Sequence, residues 1–301
     1  MVLTRICRVV SILLLLMTLG LGTGVAQDGP SQDVEVRAIG NGGQSITVLP
    51  SGADAQAVTY AVTNPDLVAR LPHLAPGDRL SITVASGTLK ALVLNQARIE
   101  PGTRAGALFL VTMGWLIVGA LLSKGRFVSL IMGEDGRYSN SKFQAVVWFS
   151  VVIVVYATTV ILRALHLGIG LMSVGIPPHL LLLSGLSAFS FAAAKGITTT
   201  KVQNAIAAGN AAPKGKMGST GLLEDLTTND SNQLDLGDFQ MLVITLLAVV
   251  SYAFVAFDAL GALKAATDLS LPDVDTTILA SFGLGQGAYL AKKAVGDVGQ
   301  S

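Results

Sequence analysis

Charged residues and cysteine are both scarce in this sequence. Asp, Glu, Lys and Arg make up 13% of the 301 residues, whereas hydrophobic residues make up 51%. A soluble domain carries about a quarter charged residues, so a large part of this chain must face something other than water. The single cysteine, Cys7, excludes disulfides within the chain and a metal site built from several thiolates. The formal net charge of +1 gives no support to nucleic-acid binding.

The first 26 residues have the pattern of a secretory signal peptide. Arg5 and Arg8 flank Cys7 ahead of the apolar run SILLLLMTLGLG, and Gly24 and Ala26 form a small-x-small cleavage site. Cys7 precedes the apolar run, whereas the cysteine of a lipoprotein signal follows it. We therefore predict a signal peptide over 1–26, with an uncleaved signal anchor as the alternative.

Residues 27–103 have the pattern of a small extracytoplasmic all-β domain. The runs VEVRAIG, SITVLP, AVTYAVT, RLSITVAS and ALVLNQARI alternate β-branched or apolar residues with polar ones. Turn clusters lie between them, for example at 40–43, 64–66 and 76–78. Short strands at this spacing predict a sandwich or a barrel, and the pattern does not choose between the two.

The chain from residue 104 onwards predicts a helical membrane region. The segments 105–123, 143–162 and 239–257 are long and apolar enough to cross a hydrocarbon core of about 30 Å. The segments 180–194 and 276–291 are shorter, and this length is ambiguous between spanning, re-entrant and buried helices. We predict that all five span the membrane.

The distribution of lysine and arginine favours this arrangement of five spans. With the β domain outside, the outer loops hold Arg163 and Lys264, and the inner loops hold ten basic residues. The ten are Lys124, Arg126, Arg137, Lys142, Lys195, Lys201, Lys214, Lys216, Lys292 and Lys293. The prediction is a bacterial inner-membrane protein whose N-terminal domain is periplasmic and whose C-terminus is cytoplasmic.

One phrase occurs twice in the membrane region. YSNSKFQAVVWFSVVIVVY at 138–156 matches LDLGDFQMLVITLLAVVSY at 234–252, with FQ and the final Tyr at a constant offset of 96 residues. Each copy opens a unit of two spans, which predicts two parallel repeats over 138–197 and 234–295. The first span and its loop then occupy 104–137, a cytoplasmic linker 198–233 and a tail 296–301. Chance similarity between apolar segments is the alternative.

Polar residues at matched positions of the two copies are candidates for an interface between the repeats. Gln144 and Gln240 either complete a helix cap or line a polar cytoplasmic mouth. The hydroxyls of Tyr156 and Tyr252 would lie inside the bilayer and need partners in the bundle. The last pair of candidates is Arg163 and Asp258. These two side chains either pair across the pseudo-two-fold axis that relates the repeats or reach water separately.

Small residues recur every four positions in the two shorter spans. This spacing lets helix backbones approach closely, so we predict tight packing between repeats or between subunits. A ligand site at the repeat interface is the alternative, although no polar ligand residues accompany the small ones. The residues are Ser184, Ala188, Ala192 and Gly196 in one span, and Gly283, Gly287 and Ala291 in the other.

The sequence contains no complete motif for catalysis, for cofactor binding or for metal binding. GNAAPKGKM at 209–217 has the wrong spacing for a phosphate loop, and His73, His166 and His179 lack the spacing of a metal cluster. The sequence therefore predicts no cofactor and no metal, and a protein that is not an enzyme.

The resulting hypothesis is a non-catalytic scaffold or sensor. Its β domain would bind a periplasmic protein, and its helices would pack against lipid and into a homo-oligomer or membrane-protein complex. No nucleic acid is expected as a partner. The alternative is an oligomeric pore or passive channel at the repeat interface. No span carries a charge in its middle, as coupled transporters usually do, whereas a passive pore needs none.

Overall fold

The computed structural model describes residues 31–52, 55–133, 136–168, 173–207, 209, 221–228, 233–266 and 269–295. The predicted signal peptide and the C-terminal tail lie outside these ranges, as does most of the segment 209–217 in the predicted cytoplasmic linker. The chain forms two compact units. Unit 1 comprises 1–107, 157–175 and 258–269, and unit 2 comprises 108–156, 176–257 and 270–301.

The N-terminal part of the chain folds into a mainly antiparallel β-sheet, which confirms the prediction of a β structure. Alternation within the strands decides which face is buried: Val34 and Val36, and likewise Leu80 and Ile82, are nearly inaccessible and separated by one more exposed residue. The five strands are β1 (Ser31–Gly40), β2 (Ser45–Pro50), β3 (Val58–Ala61), β4 (Arg79–Ala85) and β5 (Thr88–Arg98).

These five strands close into a small barrel. β1 pairs antiparallel with β2 and β4, β2 with β3, and β4 with β5, while Ala61 and Thr88 make a parallel pairing between β3 and β5. A short helix, α1 (Pro65–Arg70), lies between β3 and β4. Its Leu67 belongs to the hydrophobic core of the barrel. This order, with one helix between the third and fourth strands, is the topology of an OB-type Greek-key barrel.

Helix α1 begins where the sequence supplies its start signals. The Oδ1 atom of Asn64 accepts a hydrogen bond of 3.0 Å from the backbone N–H of Asp66, and Pro65 occupies the first helical position. Leu71, which follows the helix, is fully buried in the same core. Helix α1 and the residue that follows it therefore pack against the hydrophobic core of the barrel.

A sixth strand, β6 (Ala262–Lys264), joins the sheet from far along the chain. It pairs antiparallel with the end of β5 through Gln96 and Lys264, Ala97 and Leu263, and Arg98 and Ala262. The sequence had placed Lys264 in an outer loop and had indicated no strand there. Three residues are too few to show alternation, so only the pairing reveals β6.

Six α-helices of the described residues follow the barrel in chain order. They are α2 (Pro101–Leu122), α3 (Asn140–Leu167), α4 (Pro178–Ala207), α5 (Leu222–Thr227), α6 (Leu236–Ala259) and α7 (Thr276–Val295). Among the described residues, four helices are long and apolar enough to cross a membrane: Pro101–Leu122, Asn140–Leu167, Pro178–Asn204 and Leu236–Ala259. Four such helices are typical of a membrane protein.

The two shorter predicted spans differ in the structure. The segment 180–194 belongs to α4, which runs for 30 residues because helix-forming residues continue beyond its apolar part. The segment 276–291 forms α7, which has 20 residues and is not among the four apolar helices. Among the described residues, four of the five predicted spans therefore correspond to long apolar helices, and the fifth stays a prediction.

Candidate functional site

A layer of buried polar side chains joins three helices inside unit 2. The Nε2 atom of Gln144 in α3 donates to the Oγ1 atom of Thr245 in α6 at 2.9 Å. Gln286 in α7 donates in turn from Nε2 to the Oε1 atom of Gln144. The exposed fractions of these three residues are 1%, 0% and 3%. We call Gln144, Thr245 and Gln286 the polar layer.

The polar layer gives Gln144 a different role from the predicted helix cap. α3 begins at Asn140, so Gln144 lies in the second turn and its amide binds neighbouring helices instead of its own first turn. Gln240, its match in the second copy, is exposed. The N-terminus of α6, the helix of the second copy, is capped by Asp235, whose Oδ1 accepts a hydrogen bond of 3.0 Å from the N–H of Asp238. The two glutamines thus do not form a joint site.

An aromatic layer is formed by the same three helices. The ring of Trp148 in α3 lies 6.1 Å from Tyr252 in α6 and 6.0 Å from Phe282 in α7, with tilted and edge-on geometry. All three side chains are buried. Among the described residues, the Tyr252 hydroxyl has no hydrogen-bond partner, contrary to expectation, and Tyr156 is only half-buried. We call Trp148, Tyr252 and Phe282 the aromatic layer.

A buried ion pair connects the segment before α3 with α5. The Nε atom of Arg137 lies 3.2 Å from the Oδ1 atom of Asp225, and both residues are at most 6% exposed. The Nη2 atom of Arg137 also donates to Thr228 at 2.7 Å, and the N–H of Tyr138 donates to Asp225 at 3.0 Å. Sequence reasoning missed this pair, because 88 residues separate its members and each resembles an ordinary loop charge.

The starts of α3 and α6 also meet in unit 2. The Nδ2 atom of Asn140 donates to the backbone oxygens of Asp238, at 2.9 Å, and Leu226, at 3.2 Å. Asn140 is 5% exposed. The two copies of the repeated phrase are therefore hydrogen-bonded at their beginnings.

Arg163 in unit 1 binds backbone carbonyls. Its guanidinium is fully buried and donates to the oxygen of Ser173 at 2.7 Å and to that of Ala266 at 2.5 Å. Asp258 is exposed, and its carbonyl accepts from the N–H of Gly261 at 2.8 Å. Arg163 thus neither pairs with Asp258 nor reaches water, the two outcomes that the sequence had left open.

The small-residue stripes lie beside the buried faces of α4 and α7. Ser184, Ala188 and Gly283 are half-buried, and a Cβ added to Gly283 would lie 3.9 Å from Leu186. The remaining members, Ala192, Gly196, Gly287 and Ala291, are exposed. The buried residues of the two helices are Leu180, Leu183, Ser187, Ser190 and Ala194, and Phe282, Gln286 and Tyr289. Packing of the exposed small residues against another subunit stays a prediction.

The first turns of α4 and α7 are fixed by two aspartates of one loop. Asp273 accepts a hydrogen bond of 3.1 Å from the N–H of Leu180, and its other oxygen lies 3.0 Å from Nδ1 of His179. Hydrogen bonds from Thr277, first from its backbone N–H and then from its hydroxyl, lower the pKa of Asp275 at the start of α7.

The described residues define the class of the protein by its fold. Among them, no group of three His, Cys, Asp or Glu side chains could hold a metal ion. The fold is that of a membrane protein with an N-terminal β barrel followed by apolar helices. No protein-family profile, no curated protein and no solved structure matches the chain.

Proposed function

We propose that this chain is a non-catalytic scaffold or sensor of a bacterial inner membrane. Its barrel lies on the periplasmic side and engages a partner protein, and its helices pack into an oligomer or a larger membrane complex. The C-terminus lies in the cytoplasm. The chain would transmit the state of the barrel to its membrane helices, or hold the two in a fixed relation.

The observation that carries this proposal is the strand β6. β5 ends at Arg98 and α2 begins at Pro101, while β6 begins at Ala262, shortly after α6 ends at Ala259. The N–H of Ile99 donates to the oxygen of Gly261 at 3.1 Å, which extends the ladder towards the helices. A displacement of the sheet would therefore be transmitted through hydrogen-bonded backbone to the start of α2 and to the end of α6, with no flexible linker in between.

Arg163 adds α3 to this connection. Its bond to the oxygen of Ala266 ties α3 to the segment that follows β6. The Arg163 guanidinium is buried, so breaking this bond would leave a desolvated charged donor unpaired, which costs several kcal/mol by order of magnitude. This cost favours movement of the end of α3 together with β6.

The filled interior of unit 2 weighs against the pore as the primary function. A path for water or ions needs a continuous polar lining. Within the described part of unit 2, the side chains of the polar layer are at most 3% exposed and are hydrogen-bonded to one another, and the aromatic layer is buried. A pathway at the axis of an oligomer would avoid this interior, and flux measurements test that alternative.

A proline in β6 tests the mechanical connection. Leu263→Pro removes a backbone donor from the short ladder between β5 and β6, because proline has no N–H. With the full chain in lipid nanodiscs, hydrogen exchange should rise together in β5 and in the ends of α3 and α6. Val58→Pro in β3 is the matched control, because Val58 is in a hydrogen-bonded pair with Val48 and its proline also removes one ladder donor. This control should raise exchange only around β2 and β3. A rise confined to 262–264 in Leu263→Pro would contradict the connection.

Two measurements separate the scaffold from the pore. A photoreactive residue at Val93, which is 57% exposed on the barrel, should yield a discrete protein adduct in intact cells. The same position in the Leu263→Pro variant should keep the adduct if β6 transmits the signal without forming the binding surface. Release of small solutes from proteoliposomes above that of empty liposomes would instead favour the pore.

A further inference from the structure

A groove of about 510 Å³ lies on the barrel where β1, β4 and β5 meet the segment of β6. Its volume falls within the range of small-ligand sites, roughly 300–1,000 Å³. The lining combines polar side chains, including Asn95 and Gln96, with the exposed apolar side chain of Val93. All of these residues belong to unit 1. We call this feature the barrel groove.

Two cations flank a glutamine amide in the barrel groove. Arg79 in β4 is the register partner of Gln96 in β5, which is in turn the partner of Lys264 in β6. Adjacent strands lie about 4.8 Å apart, so Arg79 and Lys264 are separated by about 10 Å at their Cα atoms. All three side chains lie on the outer face, because their neighbours in the strands are buried: Leu80, Ala97 and Leu263.

The positive charge of this row is not balanced within the groove. Arg79 and Lys264 are exposed and take part in no ion pair among the described residues. The acid of the groove, Asp33, already accepts hydrogen bonds from Ser81 at 2.6 Å and from Asn95 at 3.4 Å. A bound anion would therefore meet two cations and an amide donor, with the carboxylates of Asp33 in the lining and of Glu35 opposite Arg79, the latter paired with Arg37 at 3.5 Å.

We propose that the barrel groove binds the phosphate group of a small ligand, with an apolar part of that ligand against Val93. The Arg79 guanidinium offers a planar fork of donors to phosphate, and the Lys264 ammonium supplies a second charge. Both are exposed and need no rearrangement to bind. This inference goes beyond the proposed function, because phosphate binding requires no partner protein.

The place of the groove in the chain allows two sources of the phosphate. Gln96 precedes the start of α2 by five positions, and Lys264 follows the end of α6 by five. Basic pockets near the ends of membrane helices bind lipid head groups. A soluble phosphate ester could reach the same exposed side chains. The shared chemistry is the phosphate group, and the experiment distinguishes the two sources.

The test uses the purified full chain in neutral detergent with two probes. The first is inorganic phosphate, followed by equilibrium dialysis, and the second is dihexanoyl phosphatidic acid, followed by native mass spectrometry. The double variant Arg79→Gln with Lys264→Gln should weaken binding by about tenfold or more, because each lost charge contact contributes about 1 kcal/mol. Gln96→Glu should weaken binding as strongly, since it places a carboxylate between two intact cations.

The matched control is Arg70→Gln with Lys90→Gln, which removes the same charge from the barrel outside the groove. Its affinity should stay within about twofold of wild type, since exposed charges beyond about 10 Å are largely screened at 0.1 M salt. Stronger binding of the lipid probe than of inorganic phosphate would support the apolar contact and favour a membrane phosphate. Equal binding of both would assign the site to a soluble phosphate and overturn the apolar contact with Val93. Equal affinities in wild type and both groove variants, or no binding of either probe, would overturn the proposal.

Discussion

The helices α3 and α6 start with the same phrase but bury different faces. The repeated letters FQ and the final Tyr lie 96 positions apart. Four of the six buried residues of α6 lie 97 positions after a buried residue of α3, and none of the six lies 96 positions after one. The corresponding buried positions are Gln144 and Met241, Trp148 and Thr245, Val155 and Tyr252, and Thr159 and Ala256. A difference of one residue rotates the face of a helix by about 100°.

This rotation explains why matched residues have unmatched surroundings. Gln144 is buried and bonded to two helices, while Gln240 is exposed. Tyr252 is buried against Trp148, while Tyr156 is half-buried. Similarity between two apolar segments therefore predicts that both form helices, but the partners of each helix decide which side is buried.

The largest effect is expected from breaking the ion pair beside the two helix starts. Arg137→Ala leaves Asp225 buried without its cation, which should cost about 3–5 kcal/mol of unfolding free energy. Denaturation in mixed micelles, followed by circular dichroism, measures this loss. Arg126→Ala is the control, because Arg126 is exposed and its removal should change stability by less than about 0.5 kcal/mol. Equal effects of the two substitutions would show that the buried ion pair does not stabilise unit 2.

An intermediate effect is expected from the two glutamines, which test the rotation directly. Gln144→Leu leaves the Nε2 atom of Gln286 without its described partner, at a cost of about 1–3 kcal/mol. Thr245 loses the bond that it accepts from Gln144 but keeps the one that it donates to the oxygen of Met241 at 2.7 Å. Gln240→Leu changes an exposed residue and should cost less than about 0.5 kcal/mol. The same denaturation measurement compares them. If both substitutions destabilised the protein alike, the two copies would have to share one buried face.

The smallest effect is expected from Tyr252→Phe. The hydroxyl of Tyr252 has no partner among the described residues, so its removal should leave the unfolding free energy within about 0.5 kcal/mol of wild type. Tyr252→Ala removes the ring from the aromatic layer and should cost about 3–5 kcal/mol. A large loss in the phenylalanine variant would show that the hydroxyl is hydrogen-bonded after all.

The barrel and the candidate sites differ in how far the sequence predicts them. The five runs of alternating residues correspond to β1–β5, because strand alternation is a local property of the chain. Strand β6 has three residues, and the parallel pairing of Ala61 with Thr88 has no local sign. The sequence identified Gln144, Tyr252 and Arg163 as candidate site residues. The residues that contact them lie on other segments of the chain, so only the tertiary structure reveals those contacts.

The amino-acid sequence determined that the chain forms a β domain followed by long apolar helices, since composition and periodicity act within one segment at a time. Tertiary structure decided which face of each helix is buried, and it joined Arg137 to Asp225 and Lys264 to the end of β5. These pairings depend on how separate segments meet. A shift of one residue rotates the buried face of a helix by about 100°, and this rotation moves a polar side chain from the surface to the centre of the bundle.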